Sequence, residues 1–374
     1  MNHFATGVMS GTSLDGMDIA HCCFELRDGK WHYDILAAET IDYSDHWREK
    51  LRTAPKLDAR TCHALHMEYG HYIGTTVKRF LDNNQIRHNE LIASHGHTVF
   101  HQPHEGYTLQ IGHGAAIAAS AKCDTVSDFR SMDVALGGQG APLVPIGDKH
   151  LFAGYDACLN LGGFSNISMD RHGKRIAFDV CPFNFVINKL VRREQIITKN
   201  ILPNHKSQHP RNYLEYDPEG MIARSGKKNQ ELLGRLNSIA YYHQPPPKSL
   251  GEEWVRQHME PLLEESNLSL PDLLHTYYHH AAMQVAGAAA SKLNRKLLIT
   301  GGGACNAFFI ECLRAQLPDN THIHVPDRQT VDFKEALVFA FLGLLCSKRQ
   351  INCLSSVTGA IHDAVGGSLH YFPQ

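Results

Sequence analysis

The sequence predicts an α/β protein built from two duplicated domains, and three observations lead to this prediction. The chain has 374 residues, which is more than one compact hydrophobic core usually holds. A pattern of strand, glycine-rich turn, strand, turn and strand occurs at residues 4–40 and again at residues 156–179. Helical segments follow each copy of the pattern. We therefore predict one domain over residues 1–150 and a second over residues 151–374. A C-terminal tail that packs back on the first domain is compatible with this division.

The first domain begins with a meander of three strands, predicted at residues 4–9, 18–26 and 31–40. Asp58 is a helix-capping residue, and the apolar positions after it recur every three or four residues up to Asn83, which indicates a helix. The remaining elements of this half are strands at residues 91–94 and 108–111, a helix of small residues that ends at residue 121, and a last strand before Arg130.

The second domain repeats the meander, with strands predicted at residues 156–161, 167–170 and 175–179. Residues 192–212 are polar and basic without apolar periodicity, so we expect an exposed insertion there. Residues 245–249 form a rigid proline loop. The remaining elements are a helix at residues 273–293, a strand at residues 296–300 and a buried apolar helix at residues 331–345.

The turn between the first two strands, residues 7–18, carries the most informative chemistry. Its glycines allow positive φ and leave no side chain between the backbone amides and a ligand. Its hydroxyls suit the phosphates of a nucleotide, and Asp15 and Asp18 can hold Mg²⁺ directly or through water. A plain hairpin turn explains the same stretch equally well. It is not a P-loop, because no Gly-Lys-Ser/Thr closes it.

Three further stretches hold candidate functional residues. Asp179 ends the third strand of the second meander, where a carboxylate is a candidate general base, although capping of a turn is the commoner role. The triple glycine at residues 301–303 lets the backbone approach a flat ligand such as adenine, or else forms an ordinary strand-to-helix turn. For His95, His97 and His101 we expect hydrogen bonds to substrate or backbone rather than a metal site, because no Cys or carboxylate completes a ligand set.

The composition excludes several classes of function. A formal net charge of -2 gives no electrostatic reason to expect nucleic acid or an anionic membrane as partner. The chain has no run of about 18 apolar residues and no signal-peptide pattern, so we expect neither a membrane span nor secretion but a cytoplasmic protein. The sequence leaves the oligomeric state open, with a homodimer as one option.

Seven motifs, in order and over nearly the whole chain, resemble the anhydro-N-acetylmuramic acid kinase family. They are Ser10-Gly-Thr-Ser-Leu-Asp-Gly16, Ser94-His-Gly-His-Thr98, Thr108-Leu-Gln-Ile-Gly112, Val126-Ser-Asp-Phe-Arg130, Gly137-Gly-Gln-Gly-Ala-Pro-Leu-Val-Pro145, Asn160-Leu-Gly-Gly-Phe-Ser-Asn166 and Thr300-Gly-Gly-Gly303 with Glu335-Ala336. That family belongs to the superfamily of sugar kinases, Hsp70 and actin. The resemblance implies two actin/hexokinase-like (ribonuclease H-like) domains with an ATP cleft between them.

The resemblance also implies an activity and the residues that carry it. The activity is ATP-dependent phosphorylation of 1,6-anhydro-N-acetylmuramic acid with hydrolytic opening of the anhydro bridge, in peptidoglycan recycling. Asp179 is implied as the catalytic base, while Arg130, Glu335 and His97 are implied in the sugar site. The residues implied to bind ATP are Gly11, Thr12, Ser13, Leu14, Asp15, Gly16, Met17, Asp18, Gly162, Gly163, Gly301, Gly302 and Gly303.

Two motifs differ from the usual pattern of this family. The family has Gly-Pro-Gly-Asn after the base, whereas this chain has Cys181-Pro-Phe-Asn184, so we expect Phe183 beside the reaction centre. The family's Ser-His-Gly-Gln-Thr motif has His97 in place of Gln here. Both changes bear on how the sugar fits.

The mechanistic hypothesis is that Asp179 takes a proton from a water that attacks the anomeric carbon, as in inverting glycoside hydrolysis. The oxygen released from the bridge then attacks the γ-phosphoryl group of ATP, whose charge Mg²⁺ and the glycine-loop amides spread. Two alternatives remain open. A kinase of the same superfamily for another small sugar or carboxylate would differ around Phe183, Arg130 and His97. A non-catalytic nucleotide-binding sensor would keep the glycine loops and have no need for the carboxylate.

Overall fold

A computed structural model describes residues 1–11, 14–201, 215–289 and 295–373 of the chain. The β-strands are β1 (Asn2–Ser10), β2 (Gly16–Arg27), β3 (Lys30–Asp42), β4 (Leu91–Ser94), β5 (His97–Gln102), β6 (Tyr107–Ile111), β7 (Thr125–Ser127), β8 (Ala157–Leu161), β9 (Phe164–Arg171), β10 (Lys174–Pro182), β11 (Arg295–Thr300), β12 (Thr321–His324) and β13 (Ser368–His370). The α-helices are α1 (Asp45–Thr53), α2 (Ala59–Asn83), α3 (Gly114–Ala121), α4 (Ser131–Ala135), α5 (Pro145–His150), α6 (Asn184–Ile201), α7 (Met221–Arg224), α8 (Gln230–Asn237), α9 (Glu252–His258), α10 (Glu260–Glu265), α11 (Leu270–Ala289), α12 (Ala307–Arg314), α13 (Arg328–Ser347) and α14 (Ser355–Thr358).

The chain forms two compact units, each with its own sheet. Unit 1 comprises Met1–Ala153, His172–Arg175 and Arg328–Gln374. Unit 2 comprises Gly154–Arg171 and Ile176–Asp327. The C-terminal segment, with α13, α14 and β13, therefore folds as part of unit 1.

The sheet of unit 1 has the strand order β13-β7-β4-β1-β2-β3. The predicted meander β1-β2-β3 pairs antiparallel throughout. β4 lies parallel to β1, and β7 lies parallel to β4, while β13 closes the edge antiparallel to β7. Parallel neighbours need a long crossover connection, and α2 and α3 provide the two crossovers here.

The sheet of unit 2 has the order β10-β9-β8-β11-β12. β9 pairs antiparallel with β8, and β11 lies parallel to both β8 and β12. When the separate β5–β6 hairpin and β13 are set aside, both sheets have the order third, second, first, fourth, fifth strand. The prediction of an α/β fold with two duplicated domains is confirmed.

Helix α13 packs on the sheet of unit 1 and supplies much of its core. Every residue from Ala336 to Cys346 is buried, which confirms the predicted apolar helix. At Gly7 in β1 the two elements approach so closely that a Cβ would overlap the carbonyl oxygen of Ala336. Glycine at this position lets the strand and the helix touch backbone to backbone.

The elements predicted for the first 130 residues agree well with the structure. The turn after β1 joins two strands and leads into no helix. Asp58 caps α2, because its carboxylate accepts hydrogen bonds from the N–H groups of Arg60 and Thr61. No helix in the described part of the chain combines the length and the apolar character needed to cross a membrane.

Two predictions about unit 2 were wrong. Residues 192–201 continue helix α6 instead of starting an insertion, because neither Pro nor Gly interrupts the helix before Pro203. The rest of the predicted insertion, residues 202–212, lies outside the described residues. Asp179 lies inside β10 instead of at its end, since the buried Val180 and Cys181 continue the strand to Pro182.

Candidate active site

The loop between β1 and β2 carries the first group of predicted nucleotide ligands. It begins at Gly11, and Leu14 adopts a left-handed φ of 61°. Thr12 and Ser13 lie outside the described residues. At the other end, a Cβ on Gly16 would lie 2.8 Å from the carbonyl oxygen of Ile41 in β3. Glycine at position 16 is therefore required by strand packing as well as suited to ligand access.

The side chains of Asp15, Met17 and Asp18 differ in exposure to solvent. Asp15 is exposed, whereas the side chain of Met17 is fully buried. Asp18 is half-buried and accepts a 2.6 Å hydrogen bond from the hydroxyl group of Thr40. A nucleotide can therefore contact the carboxylates of Asp15 and Asp18 but only the backbone of Met17.

Acidic side chains gather around Asp18. Burial raises the pKa of Asp18, the hydrogen bond from Thr40 acts in the opposite direction, and the charges of Asp332 and Asp15 raise it further. Solvent reaches the side chain of Glu335, but many protein atoms surround its carboxylate. This burial raises the pKa of Glu335, and the charge of Asp18 raises it further. Asp18 and Glu335, whose pKa values are both raised, favour a proton or a cation near them.

Arg130 lies at the start of α4 beside this acidic group. Its Nε donates a 3.0 Å hydrogen bond to Nε2 of His95, and its Nη1 donates a 2.6 Å hydrogen bond to the carbonyl oxygen of Gly140. Nδ1 of His95 lies 2.9 Å from the carbonyl oxygen of Gly96, so His95 is a neutral acceptor for the guanidinium. Burial lowers the pKa of Arg130, and the charge of Glu335 counteracts this effect. These bonds fix the guanidinium while other donors of its five N–H groups remain for a ligand.

His97, predicted in the sugar site, contacts the nucleotide loop. It begins β5, is 4% exposed and hydrogen-bonds the backbone of Gly11. Burial lowers the pKa of His97 to about 4, so the imidazole is neutral at pH 7. The contact links the β5–β6 hairpin to the start of the loop.

Asp179 is the predicted catalytic base, and the structure holds it at three points. Its Oδ2 accepts a 2.8 Å hydrogen bond from the N–H of Leu250. Its N–H donates to the carbonyl oxygen of Lys248 at 3.2 Å, and its carbonyl oxygen accepts a 2.7 Å hydrogen bond from the hydroxyl of Tyr241. The side chain is half-buried, and burial raises the pKa of Asp179 while the Leu250 N–H lowers it. A raised pKa suits a general base that works near neutral pH.

Gly162 and Gly163 form the turn between β8 and β9, against the start of α6. Their carbonyl oxygens accept hydrogen bonds of 2.8–3.1 Å from the N–H groups of Phe183, Asn184 and Phe185. A Cβ on either glycine would meet no atom closer than 3.4 Å, so the turn borders open space. These hydrogen bonds satisfy the first N–H groups of α6, so the turn and the start of the helix hold each other in place.

The three glycines that follow β11 have different surroundings. Gly301 has a φ of 81°, and a Cβ on it would lie 2.6 Å from Oδ1 of Asn160. A Cβ on Gly303 would overlap the ring of Phe183. A Cβ on Gly302 would meet only Nδ2 of Asn184, at 3.8 Å, so Gly302 has open space for a ligand.

Phe183, expected beside the reaction centre, has its ring in the core of unit 2. Its side chain is fully buried, with its ring centroid 4.6 Å from that of Phe309 and 6.1 Å from that of Tyr278. Burial against two aromatic rings stabilises Phe183 by the hydrophobic effect and by ring packing. Phe183 therefore belongs to the core of unit 2 and does not shape a sugar pocket.

The contacts of Asp179 with Tyr241, Lys248 and Leu250 were missed by the sequence analysis. These residues lie 62 to 71 positions from Asp179 in the chain, so no local pattern connects them. The signal that was present is the run Pro245-Pro-Pro247, which indicates a rigid loop without indicating what the loop touches.

The chain matches a known protein family over nearly its whole length. A family model described as anhydro-N-acetylmuramic acid kinase matches residues 3–372. The chain is similar to the anhydro-N-acetylmuramic acid kinase of Pseudomonas syringae pv. tomato, with 32% identity over 389 residues that cover 99% of this chain and 100% of the relative. It is 31% identical to the protein of the same name from Hydrogenovibrio crunogenus over 379 residues, which cover 97% and 96% of the two chains. Among solved structures, it is similar to a ROK family glucokinase from Streptomyces griseus in complex with glucose and AMPPNP, with 10% identity, a TM-score of 0.40 and coverage of 91% and 99%.

Proposed function

This chain belongs to the anhydro-N-acetylmuramic acid kinase family, and we propose that Asp179 is the catalytic base of its reaction. The chain is an ATP-dependent kinase that opens 1,6-anhydro-N-acetylmuramic acid by hydrolysis and phosphorylates it. The products are N-acetylmuramic acid 6-phosphate and ADP, and the reaction is part of peptidoglycan recycling. The observation that carries the assignment of Asp179 is its half-buried carboxylate, which has one oxygen held by Leu250 and a raised pKa.

The proposed chemistry needs one carboxylate for two linked bond changes. Asp179 takes a proton from a water molecule as the water oxygen attacks the anomeric carbon, and the bond from that carbon to the bridge oxygen breaks. The bridge oxygen, now free on C6, attacks the γ-phosphorus of ATP, and ADP leaves. The raised pKa of Asp179 strengthens it as a base for the first step.

The ATP phosphates are assigned to the two glycine turns. In unit 1 the assigned residues are those from Gly11 to Asp18, of which Met17 offers only its backbone. In unit 2 the open space beside Gly162 and Gly163 supports a phosphate position. The adenosine is assigned to the triple glycine, with Gly302 as the residue that has space for it.

Mg²⁺ fits the donors around Asp18. Asp15 and Asp18 are hard oxygen donors, and a divalent cation would offset both the burial and the neighbouring negative charges that raise the pKa of Asp18. Within the described residues, no three His, Cys, Asp or Glu side chains converge closely enough to hold a metal ion alone. This suits Mg²⁺, which one or two carboxylates commonly bind together with substrate phosphates. When bound, Mg²⁺ would neutralise charge on those phosphates.

The sugar is assigned to the surface formed by Arg130 and Glu335, with His97 behind the adjacent loop. Arg130 is rigidly held and positively charged, so it suits the carboxylate of the substrate's lactyl group. Glu335 is solvent-accessible and its raised pKa suits hydrogen bonds with sugar hydroxyls. We place the protein in the cytoplasm, where ATP is available to it.

The test is an assay of ADP formation with 1,6-anhydro-N-acetylmuramic acid, glucose and N-acetylglucosamine as separate acceptors. We expect ADP release with the anhydro sugar, and one phosphate transferred for each ring opened. ADP formation with another sugar alone would favour a different kinase of the superfamily. Nucleotide binding without ADP formation from any acceptor would favour a sensor.

A further inference from the structure

Residues 241–250, here called the proline loop, hold Asp179 by both its backbone and its side chain. Tyr241 and Leu250 donate two of the three hydrogen bonds described above, and the carbonyl oxygen of Lys248 accepts the third. Within the described residues, no hydrogen bond reaches the second carboxylate oxygen of Asp179, Oδ1. The proline loop therefore occupies one carboxylate oxygen and leaves the other for chemistry.

The position of Asp179 in the sheet explains why a loop is needed there. Strand β10 is the edge strand of its sheet, with β9 on one side. An edge strand has N–H and C=O groups on its outer side that no other strand pairs. At Asp179 the proline loop fills this place, since it pairs with both the N–H and the C=O of this residue.

The proline loop is stiff and tied to itself. Three consecutive prolines, Pro245 to Pro247, restrict its backbone. Nζ of Lys248 donates a 3.0 Å hydrogen bond to the carbonyl oxygen of Tyr241, which joins the two ends of the loop. The same ammonium group lies 4.5 Å from the ring centroid of Tyr241. The ring of Trp254 also packs on Tyr241, with a distance of 5.2 Å between the two ring centroids.

We propose that the proline loop positions the catalytic base: the N–H of Leu250 holds Oδ2 of Asp179, so that Oδ1 faces the attacking water, and Lys248 keeps the loop in place. This inference rests on the proposed role of Asp179 as the base. Leu250 and Lys248 are positioning residues, because they act through Asp179. Displacing a catalytic group by about 1 Å can cost roughly 100-fold in rate, so a loop of this kind has a measurable effect on turnover.

The first test compares Leu250→Pro with Leu250→Ala. Proline removes the N–H that bonds Oδ2, whereas alanine keeps it and removes only side-chain atoms. We expect Leu250→Pro to lower kcat roughly 10- to 100-fold with little change in KM for ATP. We also expect its acid limb of kcat/KM to move to higher pH, because a carboxylate that loses a donor gains a higher pKa. Leu250→Ala should keep the wild-type acid limb and a kcat within about threefold.

The second test uses Lys248 and remains decisive if Leu250→Pro does not fold. Lys248→Met keeps a long apolar side chain over the Tyr241 ring but loses the hydrogen bond to its carbonyl oxygen. We expect a lower kcat and an acid limb at higher pH, and we expect Lys248→Arg to restore both, since Arg keeps a donor. Wild-type kcat and acid limb in Lys248→Met, or equal behaviour of the two Leu250 variants, would overturn the proposal.

Asp179→Asn measured in parallel separates this inference from the proposed function. If Asp179→Asn is inactive while Leu250→Pro and Lys248→Met match wild type, the base is correct and the positioning role is wrong. If Asp179→Asn keeps full activity, the assignment of the base itself is wrong, and the positioning role is overturned with it.

Discussion

The ring of Phe183 occupies the space that a side chain on Gly303 would need. A Cβ at position 303 would overlap the ring and would also lie 2.8 Å from Cβ of Leu161. Phe183 is fully buried against Phe309 and Tyr278, so its ring has no free direction to move. We predict that Gly303→Ala destabilises the protein by about 1–3 kcal/mol, measured by urea unfolding.

Gly302→Ala is the matched control, because a Cβ on Gly302 meets only Asn184, at 3.8 Å. It should change the free energy of unfolding little. The double variant Gly303→Ala with Phe183→Leu should recover part of the loss caused by Gly303→Ala alone, since leucine leaves the ring position. Equal stability of Gly303→Ala and wild type would show that the core of unit 2 is looser than the structure indicates.

The mechanism can be tested at Asp179 with labelled water. If Asp179 activates water for attack at the anomeric carbon, reaction in ¹⁸O-water must place the label on the C1 oxygen and none in the phosphate. Asp179→Asn cannot accept the proton, so ring opening and phosphoryl transfer should fall together, by roughly 10²–10⁴-fold. Label in the phosphate would indicate plain ATP hydrolysis, and ring opening without ADP would indicate that the two steps are separate.

The same variant has a predicted effect on stability. Burial raises the pKa of Asp179 in the folded state, so the folded state binds its proton more tightly than the unfolded state. The ionised carboxylate therefore costs stability, and this cost is present at pH 7 and disappears as the pH falls below the folded pKa. We expect Asp179→Asn to be at least as stable as wild type at pH 7, with the difference shrinking towards pH 4. A variant that is less stable at pH 7 would favour a structural role for the carboxylate.

Asp15 tests the nucleotide loop of unit 1. Its side chain is exposed, so Asp15→Ala should leave the thermal midpoint of unfolding nearly unchanged. If Asp15 binds Mg²⁺ with the ATP phosphates, kcat/KM for ATP should fall by orders of magnitude, and higher Mg²⁺ should recover part of it. Asp34→Ala, which removes another exposed carboxylate of the same sheet, should behave as wild type. Equal activity of the two variants would place the nucleotide elsewhere.

His97 gives a prediction about pH. Its pKa falls from 6.5 to about 4 on folding, so below pH 6.5 the unfolded state takes up a proton that the folded state does not. Stability is therefore lost as the pH falls from 6.5 to 4, by on the order of 3 kcal/mol for this residue. His97→Gln should not show this part of the loss, which urea unfolding at pH 7 and pH 4.5 can measure.

Activity of His97 variants tests its contact with Gly11. Glutamine keeps a donor for the Gly11 backbone, so turnover should stay within a few-fold of wild type. His97→Leu has no donor and should raise KM for ATP. If the leucine variant binds ATP as well as the glutamine variant, the contact does not order the loop.

The sequence predicted those parts of the fold that depend on local signals. The Asp58 cap and the recurring apolar residues after it specify α2, and the Asp28-Gly29 turn specifies the β2–β3 connection. The glycine turns were predicted because several glycines close together in a sequence indicate a backbone that needs positive φ or close contact with a ligand. These signals lie within a few residues of the feature that they specify.

The contacts that complete the candidate site could not be predicted in this way. Phe183 follows a strand, and the neighbouring residues do not indicate whether its ring points to solvent or packs on Phe309. The proline loop lies far from Asp179 in the chain, and only the folded edge of the sheet brings the two together. Both depend on tertiary packing, which overrides local preference.

The contact between Gly7 and Ala336 has a mechanical consequence. Gly7 lies in the strand that leads into the nucleotide loop, and Ala336 directly follows Glu335. Side chains can switch rotamers to absorb a shift, but two backbones in direct contact have no such freedom. A displacement of β1 at Gly7 therefore pushes directly on the backbone of α13 beside Glu335, which couples the start of the nucleotide loop to a group assigned to the sugar on this unit.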